Sequence, residues 1–226
     1  MCGRYTETAA FAELAQRFGI AVEEADNEEL ISRYNVSPSQ TVPVIVAREG
    51  RHRLLRARWG LRPHWARDGK LAPINARAET VATSPMFGDA LKYARCLVPA
   101  DGFYEWQAVP GQKRKQPWYL RLRGGGLFGF AGLYTAPHPD AGVPATCTIV
   151  TTTANELAAR IHDRMPVILD PEAEMRWLAR QLVDSRDLLP LLRPYPADRM
   201  EAYPVSSLVS SPGNDGPALI EPAPAA

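Results

Sequence analysis

Phe11, Leu14, Ala15 and Phe18 recur at i, i+3, i+4 and i+7, the spacing that lines one face of a helix. A helix is predicted over residues 8–18, with Thr6 or Thr8 as its cap and Gly19 as its end. The polar stretch 27–30 reads as loop or a short helical turn. Residues 41–47 and 52–59 are β-rich runs joined by a short polar link, so a hairpin is predicted there. Ser84 followed by Pro85 predicts a capped short helix. Strand patterns then dominate, at 96–100, 103–109, 117–123, 127–134 and 146–152, with glycine and proline turns between them. "TANE" at 153–156 has the form of a capping box opening a short helix. A strand is predicted at 165–169, then a helix capped by Asp170 with Pro171 at its first position. Residues 188–200 read as a proline-rich connection, "AYPVS" (202–206) as a last strand, and the remainder as a loop-like tail that frays at its end.

Many strands with few intervening helices argue against a parallel βαβ sheet. The pattern predicts one α+β domain, a curved antiparallel β-sheet or barrel with peripheral helices. The length of 226 residues suits one such domain. No run approaches the roughly 20 apolar residues of a membrane helix. The N-terminus carries acid early and has no apolar signal-peptide core, so a cytoplasmic protein without a membrane partner is expected.

Net charge is +1, so bulk charge does not mark a nucleic-acid binder. Arginine outnumbers lysine 22 to 4, which fits base composition first and leaves room for a local basic groove. Cys2, Cys96 and Cys147 are odd in number and lack a C-x-x-C pair; His52, His64, His138 and His162 lack metal-ligand spacing. Neither a disulfide framework, a metal nor a cofactor is expected.

Cys2 changes the picture. Methionine removal would leave it with a free α-amine beside a thiol. An α-amine has a reference pKa of about 7.7–8.0, so much of it is neutral near physiological pH. A neutral amine forms Schiff bases with aldehydes and ketones. The adjacent thiol can then close a five-membered thiazolidine, which no internal cysteine can do. A small hydrophobe at the terminus is the plain alternative. Three further residues have both a chemical and a structural reading. Asn75 lies in "PINARAET" and reads as a pocket or turn residue. Glu105 lies between Tyr104 and Trp106, where aromatic burial would raise its pKa and outward alternation would leave it in solvent. His162 precedes Asp163 and Arg164 and reads as a proton carrier or a structural histidine.

Taken in order, "MCGRY", "RYNVSPSQ", "WGLRPHW", "PINARAET", "FGDALKYARCLVPADGFYEW", "IHDRMPVIL" and "YPVSSLV" resemble the SOS-response-associated peptidase (SRAP) family. The likeness runs over residues 1–221 and leaves 222–226 as a short tail. It implies the SRAP fold and an enzyme that crosslinks its N-terminal cysteine to the ring-opened aldehyde of an abasic site in single-stranded DNA. It implies a pocket of Cys2, Asn75, Glu105 and His162, with a weak lyase side reaction and removal of its own Met1. The partner it implies is single-stranded DNA containing abasic sites, engaged by a monomer in the bacterial cytoplasm at the nucleoid. Gly3, Arg4, Arg77 and Arg164 are implied at the phosphates, and Pro38, Trp65, Met86, Phe87 and Trp106 as apolar surface near the nucleotides. Two segments depart from the family pattern: an aromatic pair reads His64–Trp65, and Ser207 stands where an arginine can occur. An N-terminal-cysteine amidohydrolase of the glutamine amidotransferase type, a peptidase and a non-covalent reader of modified DNA are the rival readings.

Overall fold

The protein is described by a computed structural model covering residues 2–20, 31–63, 65, 71–137 and 143–224. Met1, His64, His138 and the segment 27–30 lie outside the described residues.

Two curled, mostly antiparallel sheets form the body. The smaller is built from β1 (Tyr5–Glu7), β2 (Arg33–Val36), β7 (Gly102–Gln107), β8 (Gln116–Leu122) and β13 (Met200–Pro204), in the order β13-β8-β7-β1-β2. The larger uses β3 (Thr41–Arg48), β4 (Arg51–Trp59), β5 (Asn75–Arg77), β6 (Arg95–Ala100), β9 (Phe128–Thr135), β10 (Thr146–Thr153), β11 (Arg164–Pro166) and β12 (Ile168–Leu169). Its order is β11-β10-β4-β3-β6-β9-β12, and β10 also pairs with β9. That extra pairing closes β10, β4, β3, β6 and β9 into a small barrel, so the predicted α+β architecture holds and the barrel option is the one realised. Closure removes the open edges that a flat sheet would expose.

Among the described residues four α-helices accompany the sheets: α1 (Phe11–Phe18), α2 (Gly88–Tyr93), α3 (Pro171–Leu178) and the one-turn α4 (Ser185–Leu188). Leu14 and Phe18 are the buried positions of α1, as the periodicity requires. Gly19 ends it in the left-handed region at φ 61°, where a residue without Cβ is unstrained. Its start differs from the prediction. Ala10 is the N-cap position, whereas Thr6 lies in β1 and Thr8 is bound to Asp101. The α2 start also moves, from Ser84 to Phe87, because Ser84 Oγ accepts from Met86 N–H in a preceding turn. Asp170 caps α3 as predicted, accepting from Ala173 N–H at 2.9 Å with Pro171 next. The buried Arg95 gathers the α2 and α3 ends by donating to the carbonyls of Leu91, Lys92, Trp177 and Ala179.

Other boundaries shift as well. In the 153–156 stretch it is Asn155, not Thr153, whose side chain accepts a downstream N–H, that of Ala158 at 2.8 Å, and a 3-10 turn with Leu157 at its N-cap position follows at Ala158–Arg160. The single strand predicted at 165–169 is two: β11 pairs with β10, and β12 crosses to β9. The tail does not fray through Pro222. Tyr203 Oη donates to the Ile220 carbonyl, Leu219 is buried, and Val205 bridges to Pro222.

One clamp fixes β1, which carries the N-terminal residues. Asp101 accepts from Thr6 Oγ1, from Thr8 Oγ1 and from Thr8 N–H at 2.9 Å, and Thr6 Oγ1 also meets Tyr119 Oη at 2.8 Å. Tyr119 reaches that hydroxyl by crossing Gly102. A Cβ there would lie 2.1 Å from the Tyr119 oxygen, so only glycine admits the contact.

Candidate active site

Cys2 enters the site on the extension of β1. Tyr5 pairs with Phe103, and Tyr104 N–H donates to the Arg4 carbonyl at 3.0 Å. The same register, continued toward the terminus, leads past Glu105 on β7. From the other side comes β5, parallel to β10 with Asn75 opposite Ile149. Asn75 is therefore a strand residue, not a turn residue. A three-residue strand has little pattern of its own, and pairing with the barrel supplies what its sequence lacks.

Asn75 Nδ2 donates to the Cys2 carbonyl at 2.9 Å. Its Oδ1 is buried and has no hydrogen-bond partner among the described residues. A buried amide oxygen left without a donor is costly, so it is a ready acceptor for an N–H or O–H placed beside Cys2. Cys2 is fully buried in the cluster that includes Tyr5, Trp59 and Phe103. Burial, and next the Glu105 carboxylate, push its thiol well above the ordinary cysteine range. The thiol is thus held as S–H. Cys2 is thus part of the core.

Glu105 is buried, as the flanking aromatics suggested, and lies opposite Trp118 on β8. Burial pushes its carboxyl up to about 7, with the Asp163 carboxylate acting in the same direction. It therefore exchanges its proton near neutral pH, where an ordinary glutamate is fully ionised.

His162 sits in the turn before β11, half-buried. Its Nδ1 accepts from Arg164 N–H at 3.1 Å and also stands 2.9 Å from Asp163 Oδ1. The first contact needs an unprotonated Nδ1 and the second a protonated one. Burial lowers the pKa of the ring, so the neutral form with Nδ1 as acceptor prevails near neutral pH. A proton arriving at Nδ1 would exchange the amide contact for the Asp163 ion pair, which suits a group that takes and returns protons.

The residues assigned to the phosphates differ in availability. Arg77 is exposed, and although its main chain is held in β5 its guanidinium makes no hydrogen bond or ion pair among the described residues. Arg4 is already engaged: its guanidinium donates to Asn35 Oδ1 and the Val209 carbonyl at 2.8 Å each, and to the Ser210 carbonyl at 3.4 Å. It braces the C-terminal segment against β2. Arg164 is bound to Glu79 and to the Thr151 carbonyl. Gly3 and Pro38 are half-buried, and Ser207, at the departing position, is exposed.

Trp65, 58% exposed, and Met86 line a groove of about 360 Å³ together with Leu61, Pro63, Pro85 and Tyr93. Tyr93 was not singled out in the sequence; it is 66% exposed on the last position of α2, an aromatic left over by the helical face. Phe87, half-buried, packs against the core beside α2, as Met86 also does, and is not part of the groove lining. Trp106 donates its indole N–H to Ser210 Oγ at 3.1 Å. A separate cavity of about 730 Å³ is lined by residues such as Arg17, His52, Pro171 and Met175 and by none of the candidate site residues. Among the described residues no group of three or more His, Cys, Asp or Glu is placed to hold a metal ion, and no helix is long and apolar enough to cross a membrane.

Comparison with known proteins places this arrangement in context. The family model described as SOS response associated peptidase (SRAP) matches residues 1–212. The abasic site processing protein YoqW of Bacillus subtilis (strain 168) is 47% identical over 224 residues, covering 98% of this chain and 99% of the relative. YedK of Escherichia coli (strain K12), also named an abasic site processing protein, is 32% identical over 226 residues, covering 98% and 100%. The chicken (Gallus gallus) abasic site processing protein HMCES is 34% identical over 224 residues, covering 84% of this chain and 66% of the relative. A crystal structure of a Bacteroides thetaiotaomicron protein superimposes with a TM-score of 0.85 at 28% identity, covering 98% of this chain and all of the other.

Proposed function

The chain belongs to the SOS-response-associated peptidase (SRAP) family, and from that premise we propose that it processes abasic sites by covalent capture on Cys2 in single-stranded DNA. The observation that carries this reading is Asn75, whose Nδ2 holds the Cys2 carbonyl beside a buried Glu105 that keeps its proton to about pH 7. An amine needs a free aldehyde, a proton donor and a fixed position, and the site supplies the last two.

The steps follow from the groups. In the closed abasic sugar the C1′–O4′ bond breaks, Glu105 gives its proton to O4′, and the anomeric hydroxyl loses one, leaving the aldehyde. With Met1 removed, the neutral α-amine of Cys2 adds to C1′. The resulting hydroxyl leaves as water with a proton relayed through His162, and an imine remains. The buried thiol, still S–H, then adds across C=N: sulfur bonds carbon, the proton passes to nitrogen, and the thiazolidine ring closes. The raised thiol pKa favours this order, amine first and sulfur second, because a protonated thiol is a poor first nucleophile. Asn75 Oδ1 is positioned to accept from the amine or a sugar hydroxyl. The imine also permits β-elimination of the 3′ phosphate, a minor lyase outcome.

The test is a denaturing gel. Protein lacking Met1, incubated with a single strand bearing one abasic site, should give a heat-stable adduct, and the same strand without the lesion should give none. Equal adducts on both strands, or none on either, would refute the reading. Release of ammonia from glutamine by the same preparation would instead favour the amidohydrolase alternative.

On this reading DNA is held by a local arginine surface, since the chain is close to neutral overall. Arg77 is the first candidate because it is exposed and uncommitted among the described residues. Removing one phosphate contact to a single strand reduces the salt slope of log affinity by about 0.7. Arg77→Ala in a Cys2→Ala background should therefore weaken binding across sequences and flatten the salt dependence by that amount in anisotropy titrations. Unchanged affinity and slope would make Arg77 structural.

A further inference from the structure

Three charged side chains meet along β10, next to the reacting residues. Arg77 on β5 pairs with Thr151, Arg164 on β11 pairs with Thr153, and Glu79 follows β5 by two residues. Arg164 Nη1 and Nη2 donate to the two Glu79 carboxylate oxygens at 2.5 and 3.0 Å. Nη2 also donates to the Thr151 carbonyl at 2.7 Å, an oxygen that accepts from Ala78 N–H as well. The Arg164 side chain is 12% exposed and that of Glu79 46%. The arginine is thus anchored from within by the barrel's main chain, and its outer fork is covered by a carboxylate that stands half in water. The hydrogen bond from Arg164 holds the Glu79 carboxyl below its ordinary range, and the charge of Arg77 adds to this, so Glu79 is ionised near neutral pH.

A guanidinium offers the same two-point fork to a carboxylate and to a phosphate. The Glu79 side of the pair stands half in water, so a phosphate arriving from solvent can reach the fork and compete with the carboxylate for it. We propose that Glu79 is a specificity-determining residue: in the free protein it occupies the phosphate-binding fork of Arg164, and a DNA phosphate must displace it. This rests on the reading above, in which the site's arginines take phosphates. Its consequence is selectivity. An intact strand that reaches Arg164 exchanges one anion for another and gains little, whereas a strand anchored at Cys2 through its lesion presents the phosphate at high local concentration. The same Arg164 donates its main-chain N–H to His162, so the anion site and the proton-carrying ring share one residue.

The experiment measures binding of a fluorescein-labelled oligothymidylate, without lesion, to full-length protein in a Cys2→Ala background at several salt concentrations. Glu79→Gln should bind severalfold tighter, with a salt slope steeper by about 0.7, the value for one more phosphate neutralised. The gain should vanish when Arg164→Ala is added, because competition needs the arginine. A gain that persists in the Arg164→Ala background would mean simple charge repulsion and overturn the proposal. Weaker binding by Glu79→Gln at an unchanged melting temperature would also overturn it, showing that Glu79 positions Arg164 for DNA. If Glu79→Gln fails to fold, Glu79→Asp keeps the charge and shortens the reach; a smaller gain is expected, and none would overturn the proposal. Failure of the underlying reading looks different: the parent protein itself would bind the strand with no salt dependence.

Discussion

Replacing Cys2 by alanine should abolish the heat-stable adduct with abasic single-stranded DNA while leaving the fold intact. The alanine variant, once Met1 is removed, still has an α-amine with a reference pKa of about 7.7–8.0. It can therefore still form an imine at C1′. An imine hydrolyses on heating, and only borohydride reduction would preserve it for the gel. The thiol is what converts this reversible bond into a closed ring. Cys2 is buried, and alanine removes a single sulfur from its place beside Tyr5 and Trp59, so the melting temperature should fall only slightly. A heat-stable, unreduced adduct formed by Cys2→Ala would sink the thiazolidine mechanism, whatever its rate.

The second large effect concerns protons. Glu105→Gln and His162→Ala should each slow crosslinking, or its reversal, by about 10²–10⁴-fold without unfolding the protein. The pH profile gives the sharper signature. The Glu105 carboxyl is raised to about 7. Below that value it holds a proton and can act as an acid; as pH rises through it, the acid form is lost. The α-amine runs the other way, gaining its reactive neutral form as pH rises toward about 8. The wild-type rate should therefore pass through a maximum between these limits. Glu105→Gln should lose the descending limb and keep the ascending one. Stopped-flow and gel kinetics that show both variants at wild-type speed, with the wild-type profile, would remove Glu105 and His162 from the mechanism.

The elements that could be read along the chain share a physical feature: their signals are local. Asp170 and Pro171 set the α3 start within two residues, and an isolated chain would favour the same geometry. Leu14 and Phe18 fall on the buried face of α1 because the helical period puts them there. Where two local signals compete, neighbours decide. Thr8 was a plausible cap, yet Asp101, 93 positions away, took its hydroxyl and its amide. Asn155, whose Nδ2 is held by the Tyr195 carbonyl, took the capping role that the pattern gave to Thr153. The three-residue strands β1 and β5 carried no period long enough to recognise and exist because β7 and β10 accept them.

The site divides along the same line. By itself the sequence determined the groups available: a cysteine directly after Met1, an aromatic-flanked glutamate, a histidine beside an aspartate, and the ordered segments that mark the family. The strand pattern determined the α+β class. Tertiary structure alone decided which of these groups meet and in what state. Asn75 reaches the Cys2 carbonyl across 73 positions, Arg4 reaches Val209 across 205, and Glu79 covers Arg164 across 85. Strand β10, whose first half pairs with β9 and β4, takes β5 and β11 on the two sides of its second half. Burial then set the protonation states, lifting Glu105 toward neutrality and keeping the Cys2 thiol protonated. Residue identity is written one position at a time, whereas desolvation and long-range hydrogen bonds are properties of the space that distant strands enclose together.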